Sequence, residues 1–149
     1  MSEQQATTTT APTPTPKPGK GMTYIWGTGR RKTAVARVRI TPGSGKFLIC
    51  GREIKQYFFD VQHCNDVTAP YRVTNSLGKY DTFVNVDGGG QTGQAGAILL
   101  GIARALIKAD PSLEAALREN RMLTRDSREV ERKKPGQPGA RKRFQFSKR

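Results

Sequence analysis

Residues 82–109, TFVNVDGGGQTGQAGAILLGIARALIKA, contain three consecutive local patterns that together decide the fold class. Residues 82–86 are rich in β-branched and aromatic side chains and predict a strand, which runs directly into the glycine-rich loop 88–93. Residues 94–109 are apolar on almost every side and predict a buried core helix. We expect this helix to lie close against a sheet, because small residues recur along one of its sides. These small residues are Ala97, Gly101 and Ala105.

The segment before this stretch predicts a β-hairpin. Apolar residues occupy every second position over residues 33–40, as in a half-buried strand. The turn sequence PGSG, residues 42–45, separates this strand from a second apolar run over residues 46–50, so we expect the two strands to pair. Residues 52–59 predict a short helix, whereas residues 60–79 favour neither a helix nor a strand.

Composition predicts one folded domain between two unstructured ends. The chain has 149 residues, of which 35% are hydrophobic, against about 45–50% in an average globular chain. Residues 1–20 are rich in threonine and proline and predict a disordered extension. Residues 121–149 lack a sustained apolar period and predict an extended basic arm. A single α+β domain, a sheet packed by helices, is expected over residues 21–120, and Asp110–Pro111 opens its last, shorter helix.

The net charge of +14 is unevenly distributed along the chain. Residues 21–52 contain seven cations and no acid, residues 53–120 six cations and eight acids, and residues 121–149 eleven cations and three acids. The two basic blocks indicate a polyanion partner, most commonly nucleic acid. No apolar run reaches the length of about 18 residues that spans a bilayer. The two cysteines are too few for a disulfide framework, so we expect a cytoplasmic protein.

Arginines on the first predicted strand are candidates for a nucleic-acid contact. Counting alternate positions puts Arg31, Arg37 and Arg39 on one side of that strand, and Arg31 belongs to the cationic run 30–32. The alternative is a solvated sheet face. Such faces usually mix charges of both signs, whereas residues 21–52 contain no acid, so we favour a polyanion contact.

The arm is a second candidate contact. Proline and glycine interrupt its cationic run over residues 132–143 and prevent a regular helix. Phe144 and Phe146 lie among the last cations, and cations with interleaved aromatic rings suit ordering against RNA. A solvated segment or a targeting signal is the alternative.

The glycine-rich loop allows three interpretations: a nucleotide site, a tight strand-to-helix turn with close backbone packing, and a helix N-terminus whose amides bind an RNA phosphate. Residues 88–93 satisfy the pattern G-x-G-x-x-G between a strand and a helix, which is typical of dinucleotide binding. That fold also requires an acid at a strand end about twenty residues later, and Asp110 has this spacing but lies between two helices. We favour the third, in which exposed amides at the helix N-terminus, at Gly89, Gly90 and Gln91, bind an RNA phosphate.

His63, Cys64 and Cys50 are the candidates for metal or nucleophilic chemistry. Zinc requires four ligands in recognisable pairs, and a Cys–His nucleophile requires a third, orienting group. The sequence indicates neither arrangement. It therefore predicts no catalytic residue, no cofactor and no metal site.

Six motifs in order over residues 22–149 resemble the bacterial type of small-subunit ribosomal protein nine. They are GTGRRKTAVARV (27–38), GGGQTGQAGA (88–97), GIARAL (101–106), LTRD (123–126), ERKKPG (131–136) and FSKR (146–149). The resemblance implies a compact α/β domain with a left-handed βαβ crossover, an exception to the usual handedness. It also implies a non-enzymatic structural protein of the small-subunit head, which binds the 3′ major domain of the rRNA beside other head proteins.

The resemblance further implies that the arm threads through rRNA towards the decoding region. Its last residues, Lys148 and Arg149, would there contact the anticodon stem-loop of the peptidyl-site tRNA. The residues predicted to bind rRNA are Arg30, Arg31, Lys32, Arg37, Arg39, Gly89, Gly90, Gln91, Arg125, Arg128, Arg132, Lys133, Lys134, Arg141, Lys142 and Arg143. Two alternatives stay open: a nucleotide-dependent enzyme that uses the loop, and a free DNA- or RNA-binding regulator.

Overall fold

A computed structural model describes residues 23–148, and the predicted disordered extension lies outside this range. The strands are β1 (Ile25–Arg31), β2 (Ala34–Pro42), β3 (Phe47–Ile49), β4 (Arg52–Glu53) and β5 (Tyr80–Asp87). The helices are α1 (Ile54–Tyr57), α2 (Val61–Val73), α3 (Gln91–Ala109) and α4 (Glu114–Glu119), and a 3₁₀ turn, Pro111–Leu113, precedes α4. Residues 121–148 contain neither helix nor strand.

The strands form one mixed sheet in the order β1–β2–β5–β3–β4. The predicted hairpin between residues 33–40 and 46–50 is wrong, because β5 lies between β2 and β3 and pairs with both. The hairpin instead joins β1 to β2 through Lys32 and Thr33. The sequence around β2 does not reveal a partner that lies far along the chain. β3 and β5 are parallel and are joined through β4, α1 and α2, and the handedness of this crossover stays a prediction.

The core lies between one face of the sheet and the helices α2 and α3. The even-numbered residues 34–40 of β2 are fully buried, as the alternation predicts. α2 fills residues 61–73, for which the sequence favoured no structure. The only polar side chain of β5 in this apolar face is Thr82, and the Tyr71 hydroxyl lies 2.6 Å from its Oγ1, so both buried hydroxyls are hydrogen-bonded. Burial raises the pKa of Tyr71 to about 12.

β1 lies against α3 backbone to backbone. A Cβ atom on Gly27 would overlap the carbonyl oxygen of Gly101, and one on Gly29 would overlap that of Ala97. Two glycines on the strand thus face the small residues of the helix, which confirms the predicted close approach of α3 to a sheet.

The two charged side chains of α3 cover the free edge of β1. Arg104 Nη1 donates to the carbonyl oxygen of Thr28 at 2.8 Å, and Lys108 Nζ donates to that of Trp26 at 2.8 Å. An edge strand otherwise exposes a row of unpaired backbone groups on which another chain can add. The helix therefore both buries β1 and closes its edge.

The architecture confirms a single α+β domain in which helices pack on a sheet. Within residues 23–148, no helix is long and apolar enough to cross a membrane.

We predict that Gly29→Ala lowers the free energy of unfolding by roughly 1 to 3 kcal/mol, because the added methyl group meets backbone atoms of α3. Gly90→Ser is the control, since a Cβ at Gly90 has no neighbour within 4 Å and serine is a favourable N-cap. Urea denaturation measures both variants. A Gly29→Ala midpoint equal to that of the unmodified chain would contradict the close contact.

Candidate nucleic-acid interface

The sheet face opposite the core, which we call the outer face, carries exposed cations. Thr28, Arg37 and Asn85 lie side by side on β1, β2 and β5, and all three are exposed. Arg30 is exposed in the next row, opposite Val35. Among the described residues, no ion pair involves Arg30 or Arg37. Their charges are therefore available to a partner, as the predicted polyanion contact requires.

Arg39 lies on the same face but contacts aromatic rings. Its guanidinium carbon is 5.5 Å from the ring centres of both Tyr24 and Phe83, and these two rings meet edge to face. Trp26 lies opposite Arg39 on β1 and is 52% exposed. Sequence analysis did not identify this aromatic cluster, although Tyr24 and Trp26 have the alternate spacing of a strand face. Arg39 is held by cation–π contacts and presents an aromatic surface beside the cations.

Arg31 does not share the face of Arg37 and Arg39, so that part of the prediction is wrong. It lies on β1 opposite Ala34, on the side of the sheet that carries α3. Counting alternate positions fails because the turn at Lys32 reverses the chain between Arg31 and β2. The Arg31 guanidinium donates to the carbonyl oxygen of Thr92 at 3.2 Å and to Oδ2 of Asp126 at 3.0 Å.

The β1–β2 turn lies against the glycine-rich loop. Lys32 is exposed in the turn and has a positive φ of 52°. Gly88 and Gly89 have φ values of 71° and 64°, and a Cβ on Gly88 would come within 2.7 Å of the Thr33 carbonyl oxygen. The loop is therefore a tight turn, as predicted, and it packs against the β1–β2 turn that carries Lys32.

α3 begins at Gln91, three residues earlier than predicted, with Gly90 as its N-cap. No side chain caps this end, and its first turn contains no acid. The Gln94 side chain holds the loop, because its amide nitrogen donates to the Gly88 carbonyl at 3.0 Å and its oxygen accepts from the Tyr57 hydroxyl at 2.9 Å. Gly89, Gly90 and Gln91 are exposed, so the first amides of the helix are open to an anion.

Asp110 and His63 have structural partners. The Asp110 carboxylate accepts from the Ser112 amide at 3.1 Å and from its hydroxyl at 2.8 Å, which confirms the predicted N-cap. His63 Nε2 lies 3.2 Å from the Thr92 hydroxyl. Within residues 23–148, no cluster of histidine, cysteine and acidic side chains could hold a metal ion.

Ion pairs occupy three of the arm's predicted rRNA-binding cations. Arg125 pairs with Glu129 at 2.7 Å, Arg128 with Asp126 at 2.9 Å, and Arg141 with Glu131. The hydrogen bond from Arg141 lowers the pKa of Glu131. The other predicted rRNA-binding cations of the arm are exposed and form no ion pair within the described residues. These are Arg132, Lys133, Lys134, Lys142 and Arg143.

The end of the arm is exposed as far as the structure describes it. Phe144 and Phe146 are 72% and 88% exposed, and Lys148 is also exposed. Arg149, the second residue predicted to contact tRNA, lies outside the described residues. The exposed rings agree with the predicted pattern of cations interleaved with aromatic side chains.

Comparisons with known proteins agree with the motifs. Residues 29–149 match the family described as Ribosomal protein S9/S16. Over 125 residues the chain is 53% identical to the "Small ribosomal subunit protein uS9" of Gemmatimonas aurantiaca, which covers 84% of this chain and 97% of that relative. The family match from residue 29 onward includes most of the domain and the whole arm. The chain therefore belongs to the ribosomal protein S9/S16 family.

Proposed function

We propose that this chain is a structural constituent of the small-subunit head that binds rRNA and contacts peptidyl-site tRNA through its C-terminal tip. The family is one of structural ribosomal proteins, so the chain is a non-enzymatic component of the ribosome in the cytoplasm. Beyond the family, we propose three partners: the 3′ major domain of the rRNA, neighbouring proteins of the head and the peptidyl-site tRNA. The observation that carries the proposal is the set of exposed, unpaired cations on the outer face and along the arm.

The outer face supports a contact with the rRNA backbone. Arg30 and Arg37 project from the sheet and form no ion pair within the described residues. The exposed Asp87 lies in the same row of the outer face as Arg30, with Val35 between them. A phosphate would gain charge-assisted hydrogen bonds from the two arginines. Lys32 and the open amides of the loop extend this basic surface around the end of β1. The exposed ring of Trp26, on the same outer face, provides a surface on which an unstacked base can stack.

The arm supports contacts at a distance from the domain. Arg31 binds Asp126, so the reach of the arm is counted from residue 127. At about 3.3 to 3.6 Å per extended residue, the 23 residues 127–149 reach up to roughly 80 Å. A compact domain of 100 residues has a radius of gyration of only about 13 Å. The tip therefore reaches a partner that the domain does not touch, whereas the cations before it supply affinity through phosphates.

Sedimentation tests the assignment against a free nucleic-acid-binding regulator. We expect the tagged chain to remain with small subunits through a high-salt wash, because a threaded arm and a rigid footprint hold it in place. Quantitative release into the soluble fraction, with binding to unrelated RNA or DNA, would favour the regulator.

We predict that Arg37→Gln weakens binding to a 3′ major domain rRNA fragment by roughly 1.5 to 3 kcal/mol, the range for a hydrogen bond to a charged group. The slope of log affinity against log salt should become shallower by roughly 0.7 to 0.9, since one phosphate contact is lost. Filter binding across a salt series measures both quantities.

Arg118→Gln is the matched control, because it removes the same charge from α4, where Arg118 pairs with Glu114. Equal losses in the two variants would mean that only the net charge matters and that the outer face makes no specific contact.

We predict that removal of residues 147–149 weakens peptidyl-site tRNA binding but leaves assembly intact. The deletion removes two of the arm's eleven cations, so rRNA anchoring survives while the contact of the tip is lost. Filter binding of tRNA to purified subunits provides the measurement. Unchanged tRNA affinity with normal assembly would contradict the tRNA contact, and failed assembly would make the tip an rRNA anchor.

A further inference from the structure

Arg31 connects three parts of the chain that are distant in sequence. It lies at the end of β1, donates from Nη1 to the Thr92 carbonyl in the first turn of α3, and donates from Nη2 to Asp126 in the arm. Its side chain is only 22% exposed, and its Nε atom is buried without a hydrogen-bond partner. Glycine at position 96 makes room for it, because a Cβ there would overlap Cδ of Arg31.

The Asp126 carboxylate accepts hydrogen bonds from two arginines. Besides Arg31 Nη2, it accepts from the Arg128 guanidinium at 2.9 to 3.3 Å and from the Arg128 backbone amide at 3.0 Å. The Arg128 side chain, followed by its amide, lowers the pKa of Asp126 far below the usual range, and Arg31 adds to this effect. Asp126 is therefore ionised and engaged at neutral pH.

The residues just before Asp126 also lie on the domain. The Met122 amide donates to the Leu117 carbonyl at 3.0 Å, and Met122 and Leu123 pack against the core. Beyond Asp126, the described contacts of the arm's charged side chains are to other arm residues. As far as residue 148, Asp126 is thus the last residue of the arm that an ion pair ties to the domain.

We propose that Asp126 and Arg31 are positioning residues, which hold the start of the arm beside the β1–β2 turn so that both bind the same stretch of rRNA. This proposal rests on the proposed rRNA-binding function. It assigns Arg31 to the arm rather than to a phosphate, because the side chain is mostly buried and its guanidinium already donates to Thr92 and Asp126.

Asp126→Asn separates this role from simple electrostatics. The substitution adds one net positive charge, so a protein held only by its overall charge would bind rRNA more tightly. A positioning role predicts the opposite: affinity for the 3′ major domain fragment should fall by about three- to tenfold, because the freed segment must be ordered on binding.

Glu129→Gln is the matched control. It makes the same charge change three residues later, and its partner Arg125 belongs to the arm itself. We expect unchanged or tighter rRNA binding by this variant. Tighter binding by Asp126→Asn, equal to that of Glu129→Gln, would overturn the proposal.

The double variant Arg31→Gln with Asp126→Asn tests whether the two residues act as a unit. Positioning predicts that each single variant weakens rRNA binding and that the double variant is about as weak as either. Additive effects of opposite sign, weaker binding for Arg31→Gln and tighter binding for Asp126→Asn, would make Arg31 a phosphate ligand and overturn the proposal.

Backbone ¹⁵N relaxation of the free chain provides a readout that needs no RNA. The heteronuclear NOE of residues 125–130 should fall towards flexible-chain values in Asp126→Asn and stay unchanged in Glu129→Gln. An unchanged NOE in Asp126→Asn would overturn the anchoring. If the unmodified chain does not bind the rRNA fragment, the proposed function fails, and the relaxation data alone decide whether Asp126 anchors the arm.

Discussion

The close backbone contact between β1 and α3 is the constraint on which the rest of the structure depends. Because Gly27 and Gly29 place no side chain between strand and helix, β1 runs along α3 and ends beside its first turn. That path brings the β1–β2 turn against the glycine-rich loop and lets Arg31 reach Thr92. The cations on the opposite side of β1 and β2 then face outward. The packing of the core and the proposed binding surface therefore follow from the same contact.

Several acids of the chain are engaged within the protein, which leaves many of its cations free. Asp81 accepts from the amides of Ser44 and Lys46 in the turn after β2. Burial by itself would raise its pKa, but these backbone hydrogen bonds outweigh burial and lower the pKa. Asp110 caps the turn before α4, and Asp126 binds two arginines. Within residues 23–148, several cations on the outer face, in the β1–β2 turn and along the arm form no ion pair and can attract an RNA backbone.

Local patterns predicted single elements, but not the elements with which they pair or pack. The small residues of α3 recur at helical spacing, so its close approach to a sheet was predictable without knowing which strand it meets. β1 was missed because Gly27 and Gly29 lack the side chains whose alternation indicates a strand, and the two glycines become informative only beside α3. The partner of β3 was predicted wrongly because β5 lies far along the chain. The face of Arg31 was predicted wrongly because counting alternate positions does not reveal the turn at Lys32. Asp126 was not identified because a single acid in a basic segment has no characteristic spacing, and its partner Arg31 lies 95 positions away.

A cryo-EM reconstruction of small subunits that contain this chain tests the account most directly. The account predicts rRNA phosphates within hydrogen-bonding distance of Arg30 and Arg37, an arm that follows rRNA, and an intact pair between Arg31 and Asp126. An outer face without rRNA contact, together with an arm that leaves the domain at a point other than Asp126, would contradict it.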